Sequence, residues 1–209
     1  MINRSPRIFV VALLVLAAPS LPAGPVIVFF GDSLTIGYGV EPEQAYPAVV
    51  QAMIDAAGDD AQVVNAGLSG ETTAAGLRRI DWILSRPIDI FVLALGGNDG
   101  LRGIPVDETK RNLDGILRKV TTRYPEAQLI VAGMESPPNM GETFADAFRA
   151  VFPEVAEKWK ALLIPFLLEG VGGEKSFNLP DGIHPNPEGH QLVAENVWAV
   201  LEPAVAAAK

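Results

Sequence analysis

The chain has no cysteine. That excludes disulfides, thiolate metal sites and a lipidated-cysteine anchor, and it leaves hydroxyl groups as the candidate nucleophiles. Histidine is nearly as scarce, with two residues in 209, His184 and His190. Positive charge is also short: 16 Lys and Arg stand against 25 Asp and Glu, for a formal net charge of −9. Such a balance keeps a protein soluble and argues against a nucleic-acid partner. The apolar run Ile8–Ala18 has eleven residues, well short of the roughly 20 that span a bilayer as a helix. Internal repeats and low-complexity tracts are absent, and the 17 prolines are scattered.

That run is informative in another way. Arg4 and Arg7 precede it and "PSLPAG" breaks it, the arrangement of a secretory signal peptide. Residues 1–23 are therefore expected to be a leader, cleaved after Ala23 or after Ser20, whose minus-three residue Ala18 is the more usual one. An N-terminal helix of the folded domain and an uncleaved anchor are the alternatives. Cleavage would remove two arginines and no acid, taking the charge from −9 to −11. The expectation is a periplasmic or secreted protein without a stable membrane anchor. Residues 24–209 suffice for a single domain with its own core, so export without disulfides is no contradiction.

Short apolar runs then alternate with amphipathic ones. Strands are predicted at Val26–Phe30, Gln62–Asn65, Ile88–Leu95, Gln128–Met134 and Leu162–Phe166. Helices are predicted over Ala45–Ala57, Thr73–Ser85, Glu108–Tyr124, Phe144–Lys160 and Glu188–Ala207. Continuous apolar strands separated by helices indicate an α/β fold with a parallel sheet covered on both faces. Ligands of such sheets bind outside the carboxyl ends of the strands.

Each predicted strand runs out into a polar block rich in glycine or proline: "GDSL", "NAGLSGETT", "GGNDGLRG", "ESPPNMGE" and finally "DGIHPN". Ser33 in the first block is the candidate nucleophile, and a serine needs a base to take its proton. His184 lies three residues after Asp181, so in a single turn the carboxylate reaches the imidazole and fixes its tautomer. Pro185 and Pro187 mark the entry to the last helix. His190 falls inside that helix with no acid at the same spacing, and reads as a packed or exposed residue. Donors for an oxyanion are expected from backbone N–H groups near Gly70 and from the Asn98 side chain. "GGND" alone would also serve as an ordinary turn.

These blocks, in this order, resemble the GDSL esterases, also called SGNH hydrolases. The likeness covers essentially the whole chain after residue 23 and is greatest to the bacterial periplasmic thioesterase I, lysophospholipase and arylesterase group. The resemblance implies a three-layer αβα sandwich, flavodoxin-like, with five parallel strands in the order 2-1-3-4-5. It implies Ser33 as nucleophile, His184 as base and Asp181 as its partner, with Ser33 N–H, Gly70 and Asn98 as the oxyanion hole. The usual α/β-hydrolase pattern G-x-S-x-G is not met, since Thr35 occupies the place of its second glycine.

The expected activity is hydrolysis of small-molecule acyl esters and thioesters by a monomer, with no cofactor and no metal. A carbohydrate O-acetylesterase is the alternative within the family. A binding module without turnover, and a metallohydrolase using Asp181, His184 and His190, are readings from other classes. Asp32 and Leu34 flank the serine and are expected to border the substrate. Ile104 and Pro105, after a flexible Gly100–Gly103 stretch, are expected to close over an acyl chain, with Met134, Pro137, Pro138 and Met140 as the opposite wall.

Overall fold

A computed structural model describes residues 24–208, so the leader expected at residues 1–23 lies outside the described residues. Five strands form the centre: β1 (Val26–Gly31), β2 (Gln62–Asn65), β3 (Ile90–Ala94), β4 (Gln128–Ala132) and β5 (Leu162–Ile164). All pair in parallel, in the order β2-β1-β3-β4-β5. This is the expected three-layer αβα sandwich with the 2-1-3-4-5 sheet.

The strands form where β-branched and aromatic residues run together, and β3 is buried along its whole length. Helices α2 (Tyr46–Ala56) and α7 (Pro187–Ala207) pack together on one face. Helices α3 (Thr73–Ile83), α5 (Val106–Arg123) and α6 (Glu142–Trp159) pack together on the other. Two short helices, α1 (Ser33–Ile36) and α4 (Gly97–Arg102), come directly after β1 and β3. The core is the sheet itself, with Phe29, Phe30 and Phe91 fully buried. Among the described residues no helix is long and apolar enough to cross a membrane.

The chain leaves β1 toward β2 on one side and later returns to β3 on the other. The crevice at the carboxyl ends of β1 and β3 is therefore the topological switch point, where this sheet order takes its ligands. Ser33 comes after β1 and Asn98 after β3.

Candidate active site

Asp32 turns the chain out of β1. Its side chain accepts from Leu34 N at 3.0 Å and caps α1, so Ser33 opens a helix at the strand's carboxyl end. Gly31 is required by close packing, because a Cβ there would lie 2.0 Å from Thr35 Oγ1. Gly37, with φ of 82°, ends α1 in the left-handed region, and the caps at both ends hold the four-residue helix in place.

The base arrives from the segment before α7. Leu179 N donates to His184 O at 2.7 Å and Asn186 N to Phe177 O at 2.9 Å, pinning both sides of this loop. Asn186 then caps α7 through Gly189 N, 2.9 Å away. Within the loop, Asp181 Oδ1 accepts from Ile183 N at 2.9 Å and His184 N at 3.0 Å. Its Oδ2 lies 2.8 Å from His184 Nδ1, and His184 Nε2 lies 3.0 Å from Ser33 Oγ. An ionised carboxylate can only accept, so Nδ1 carries the proton and Nε2 accepts from the serine hydroxyl. Burial pushes the Asp181 carboxyl up, but the N–H donors of His184 and Ile183 and the imidazole together outweigh it and lower it to about 2. The acid is therefore ionised across the whole range in which imidazole is neutral.

The third and second blocks meet beside Ser33. Asn98 Nδ2 donates to Asp32 Oδ2 and to Glu71 O, each at 3.2 Å, while Arg102 Nη2 lies 3.5 Å from Asn98 Oδ1. Two acceptors on one end and a donor at the other fix which way the amide faces. Arg102 Nη2 also donates to Gly70 O at 3.1 Å. Gly70 has φ of 77°, and its N–H has no acceptor among the described residues. "GGND" is thus the start of α4 and not a free turn. Its Asp99 is fully buried and accepts from Thr73 N at 2.8 Å and Thr73 Oγ1 at 2.5 Å, fastening α4 to the start of α3.

Two supports carry little sequence signal. Glu71, 3% exposed, pairs with Arg79, which also donates to Ala66 O at 2.9 Å and lies 4.3 Å from the centroid of the Phe30 ring. This pair holds both ends of the loop that bears Gly70. Tyr38 lays its ring 4.5 Å from that of His184; "GYG" after the serine is its only trace in the sequence.

A cavity of about 440 Å³ opens beside Ser33 and Asn98, and Asp32 and Leu34 border it. Met134, Pro137 and Pro138 line one side. The other side differs from the sequence expectation. It is built by Leu101, Phe166, Leu168 and Ile183, while Ile104, Pro105 and Met140 are not among the lining residues. The reason is local. Gly100 is buried within α4 instead of forming a flexible stretch, and Gly103, with φ of 62°, turns the chain away before Ile104. Met140 packs on that turn, since a Cβ at Gly103 would meet its methyl carbon at 2.7 Å.

His190 is packed, 1% exposed, with Nδ1 accepting from Tyr46 N at 3.2 Å. Among the described residues no group of three or more His, Asp or Glu side chains is arranged to hold a metal ion.

Known proteins resemble this chain along most of its length. Residues 29–192 match the model of the GDSL-like lipase/acylhydrolase family. The chain is 38% identical over 183 residues to Esterase TesA of Pseudomonas aeruginosa, covering 87% of this chain and 90% of that protein. It is 34% identical over 201 residues to the thioesterase 1/protease 1/lysophospholipase L1 of Escherichia coli, covering 96% and 92%. Among solved structures, the psychrotrophic esterase EstA from Pseudoalteromonas, inhibited by monoethylphosphonate, superposes with a TM-score of 0.80 at 29% identity, covering 87% of this chain and 98% of that one. The chain belongs to the GDSL-like lipase/acylhydrolase family.

Proposed function

We propose that this protein is a serine hydrolase that cleaves acyl esters and thioesters through Ser33, His184 and Asp181. The observation that carries the reading is the unbroken relay from Ser33 Oγ to His184 Nε2 at 3.0 Å and from Nδ1 to Asp181 Oδ2 at 2.8 Å. Its relatives bear the names of an esterase, an arylesterase and a thioesterase 1/protease 1/lysophospholipase L1, which supports cleavage of an acyl ester or thioester bond.

Ser33 Oγ attacks the acyl carbon as His184 Nε2 takes the hydroxyl proton, and Asp181 stabilises the imidazolium. The carbonyl oxygen becomes an oxyanion, met by Ser33 N–H, Gly70 N–H and Asn98 Nδ2. His184 returns the proton to the departing alkoxide or thiolate, leaving Ser33 acylated. Water, deprotonated by the same imidazole, then releases the carboxylic acid. Every group in the sequence comes from this one chain, so a monomer is competent and no cofactor enters. The cavity beside Ser33, walled largely by apolar side chains, suits an extended acyl chain better than an acetyl group, which favours this reading over a carbohydrate O-acetylesterase. With a cleaved leader, the enzyme works in the periplasm or the medium.

The test is hydrolysis of p-nitrophenyl octanoate and octanoyl-CoA by the wild type and by Ser33→Ala. Turnover of both by the wild type, lost by roughly 10⁶-fold in the variant, supports the assignment. Turnover that survives Ser33→Ala overturns it.

A further inference from the structure

We propose that Asp32 is a positioning residue of this reaction, one carboxylate oxygen holding the helix that starts with Ser33 and the other aiming the Asn98 amide. The proposal rests on the reading of Asn98 as an oxyanion donor. Capping alone explains only half of what Asp32 does. Oδ1 caps α1 through Leu34 N, and Ser or Asn would cap as well. Oδ2 reaches across from the end of β1 to the start of α4 and accepts from Asn98 Nδ2 at 3.2 Å. Asp32 is 1% exposed, and a buried carboxylate carries a desolvation cost that a neutral cap avoids. The contact with Asn98 is what the carboxylate has and the neutral caps lack.

The geometry limits how the amide can move. Its two hydrogens point at Asp32 Oδ2 and Glu71 O, both at 3.2 Å, the long end of the hydrogen-bond range. An oxyanion can therefore draw the hydrogen on the Glu71 side toward itself while Asp32 keeps hold of the other. A protonated Asp32 that places its hydroxyl toward Nδ2 sets a donor against a donor, and the amide is released.

This release falls within an accessible pH range. Burial pushes the Asp32 carboxyl up to about 6; hydrogen bonds from Leu34 N and Asn98 oppose that, as does the charge of His184, whereas Asp99 on α4 adds to it. Tyr46 on α2 also feels the Asp32 charge, and its own hydroxyl stays neutral because burial raises it far above the usual range. As pH falls through about 6, Asp32 takes up a proton and the hold on the Asn98 amide should weaken.

Asp32→Asn separates the two roles, because asparagine is a good helix cap but turns an amide nitrogen toward Asn98. A misaligned donor costs about 10²-fold, expected in kcat with KM changed less than about twofold. In log kcat against pH, the wild type should show a fall with a midpoint near 6 that the variant lacks. Circular dichroism and Asp32→Ser, which caps without reaching Asn98, control for folding. The direct readout needs no turnover: the Asn98 side-chain NH₂ resonance, assigned by its loss in Asn98→Asp, should titrate in the wild type with a midpoint near 6. It should lose that midpoint in Asp32→Asn. An Asn98 signal unmoved between about pH 4.5 and 8, or an Asp32→Asn enzyme with wild-type kcat and acid limb, overturns the proposal. Failure of the hydrolase reading would show separately, as a titrating amide in an inactive protein.

Discussion

The rings of Tyr38 and His184 lie 4.5 Å apart, centroid to centroid, tilted by 42°. Tyr38 thus covers one face of the imidazole whose edges meet Asp181 and Ser33. Its hydroxyl makes no hydrogen bond among the described residues, so the contact is one of ring surface. A contact of this kind is worth about 0.5–1.5 kcal/mol. Tyr38→Ala should therefore lower kcat by roughly two- to tenfold, and Tyr38→Phe should match the wild type. Steady-state kinetics on a p-nitrophenyl ester measure both, and an unchanged kcat in Tyr38→Ala would show that the ring does not steady the base.

Chain-length preference should track the cavity. Each methylene removed from water contributes about 0.8 kcal/mol, so kcat/KM should climb from acetyl to about six to ten carbons and then level off. Leu168 lines the cavity and Ile104 does not. Leu168→Ala should flatten the climb, whereas Ile104→Ser should leave its slope alone. The comparison is read from p-nitrophenyl esters of increasing length. A flat profile in the Ile104 variant beside a normal one in the Leu168 variant would mean that the chain lies along the α4–α5 turn instead.

Acid should weaken the fold through His190. Burial, helped by the charge of His184, lowers its imidazole from 6.5 to about 4. The neutral form is thus favoured by folding. Its contribution is complete above 6.5 and is lost as the pH drops toward 4, because the unfolded chain protonates first. Full loss amounts to about 3 kcal/mol. Asp32 works in the opposite sense: its proton is held to about 6 in the fold, against 3.8 for the free group, so it adds stability over the same descent. The His190 share is isolated by His190→Asn, whose amide oxygen can replace Nδ1 as acceptor for Tyr46 N. Melting temperatures between about pH 7 and 4.5 should fall less in the variant than in the wild type. Equal falls would assign the acid sensitivity elsewhere.

The strands and the Asp181–His184 turn are legible in the sequence because both are written locally, whereas the sheet order follows only from the resemblance to the GDSL esterases. Apolar runs mark the strands, and the acid precedes the base at helical spacing. The packed state of His190 agrees with the lack of such an acid. The illegible parts depend on how the loops fold back on their neighbours, which no local pattern encodes. Glu71 and Arg79 look like ordinary surface charges in the sequence, and only the return of α3 past the loop brings them together. The α4 segment reads as a flexible loop because Gly96, Gly97, Gly100 and Gly103 hide a helix that Asp99 fastens from inside. The cavity wall at Phe166, Leu168 and Ile183 is hidden for a similar reason, since residues from the two ends of the long β5–α7 connection converge there with no shared motif.

The most direct measurement of the central claim is covalent labelling by a fluorophosphonate, mapped by mass spectrometry of the digested protein. Ser33 alone should carry the phosphonyl group, the label should track loss of esterase activity one for one, and His184→Ala should slow its formation by orders of magnitude. Labelling at Ser69 or Ser136, or a fully labelled Ser33 in an enzyme that still hydrolyses its ester, would contradict the assignment of Ser33 as the nucleophile.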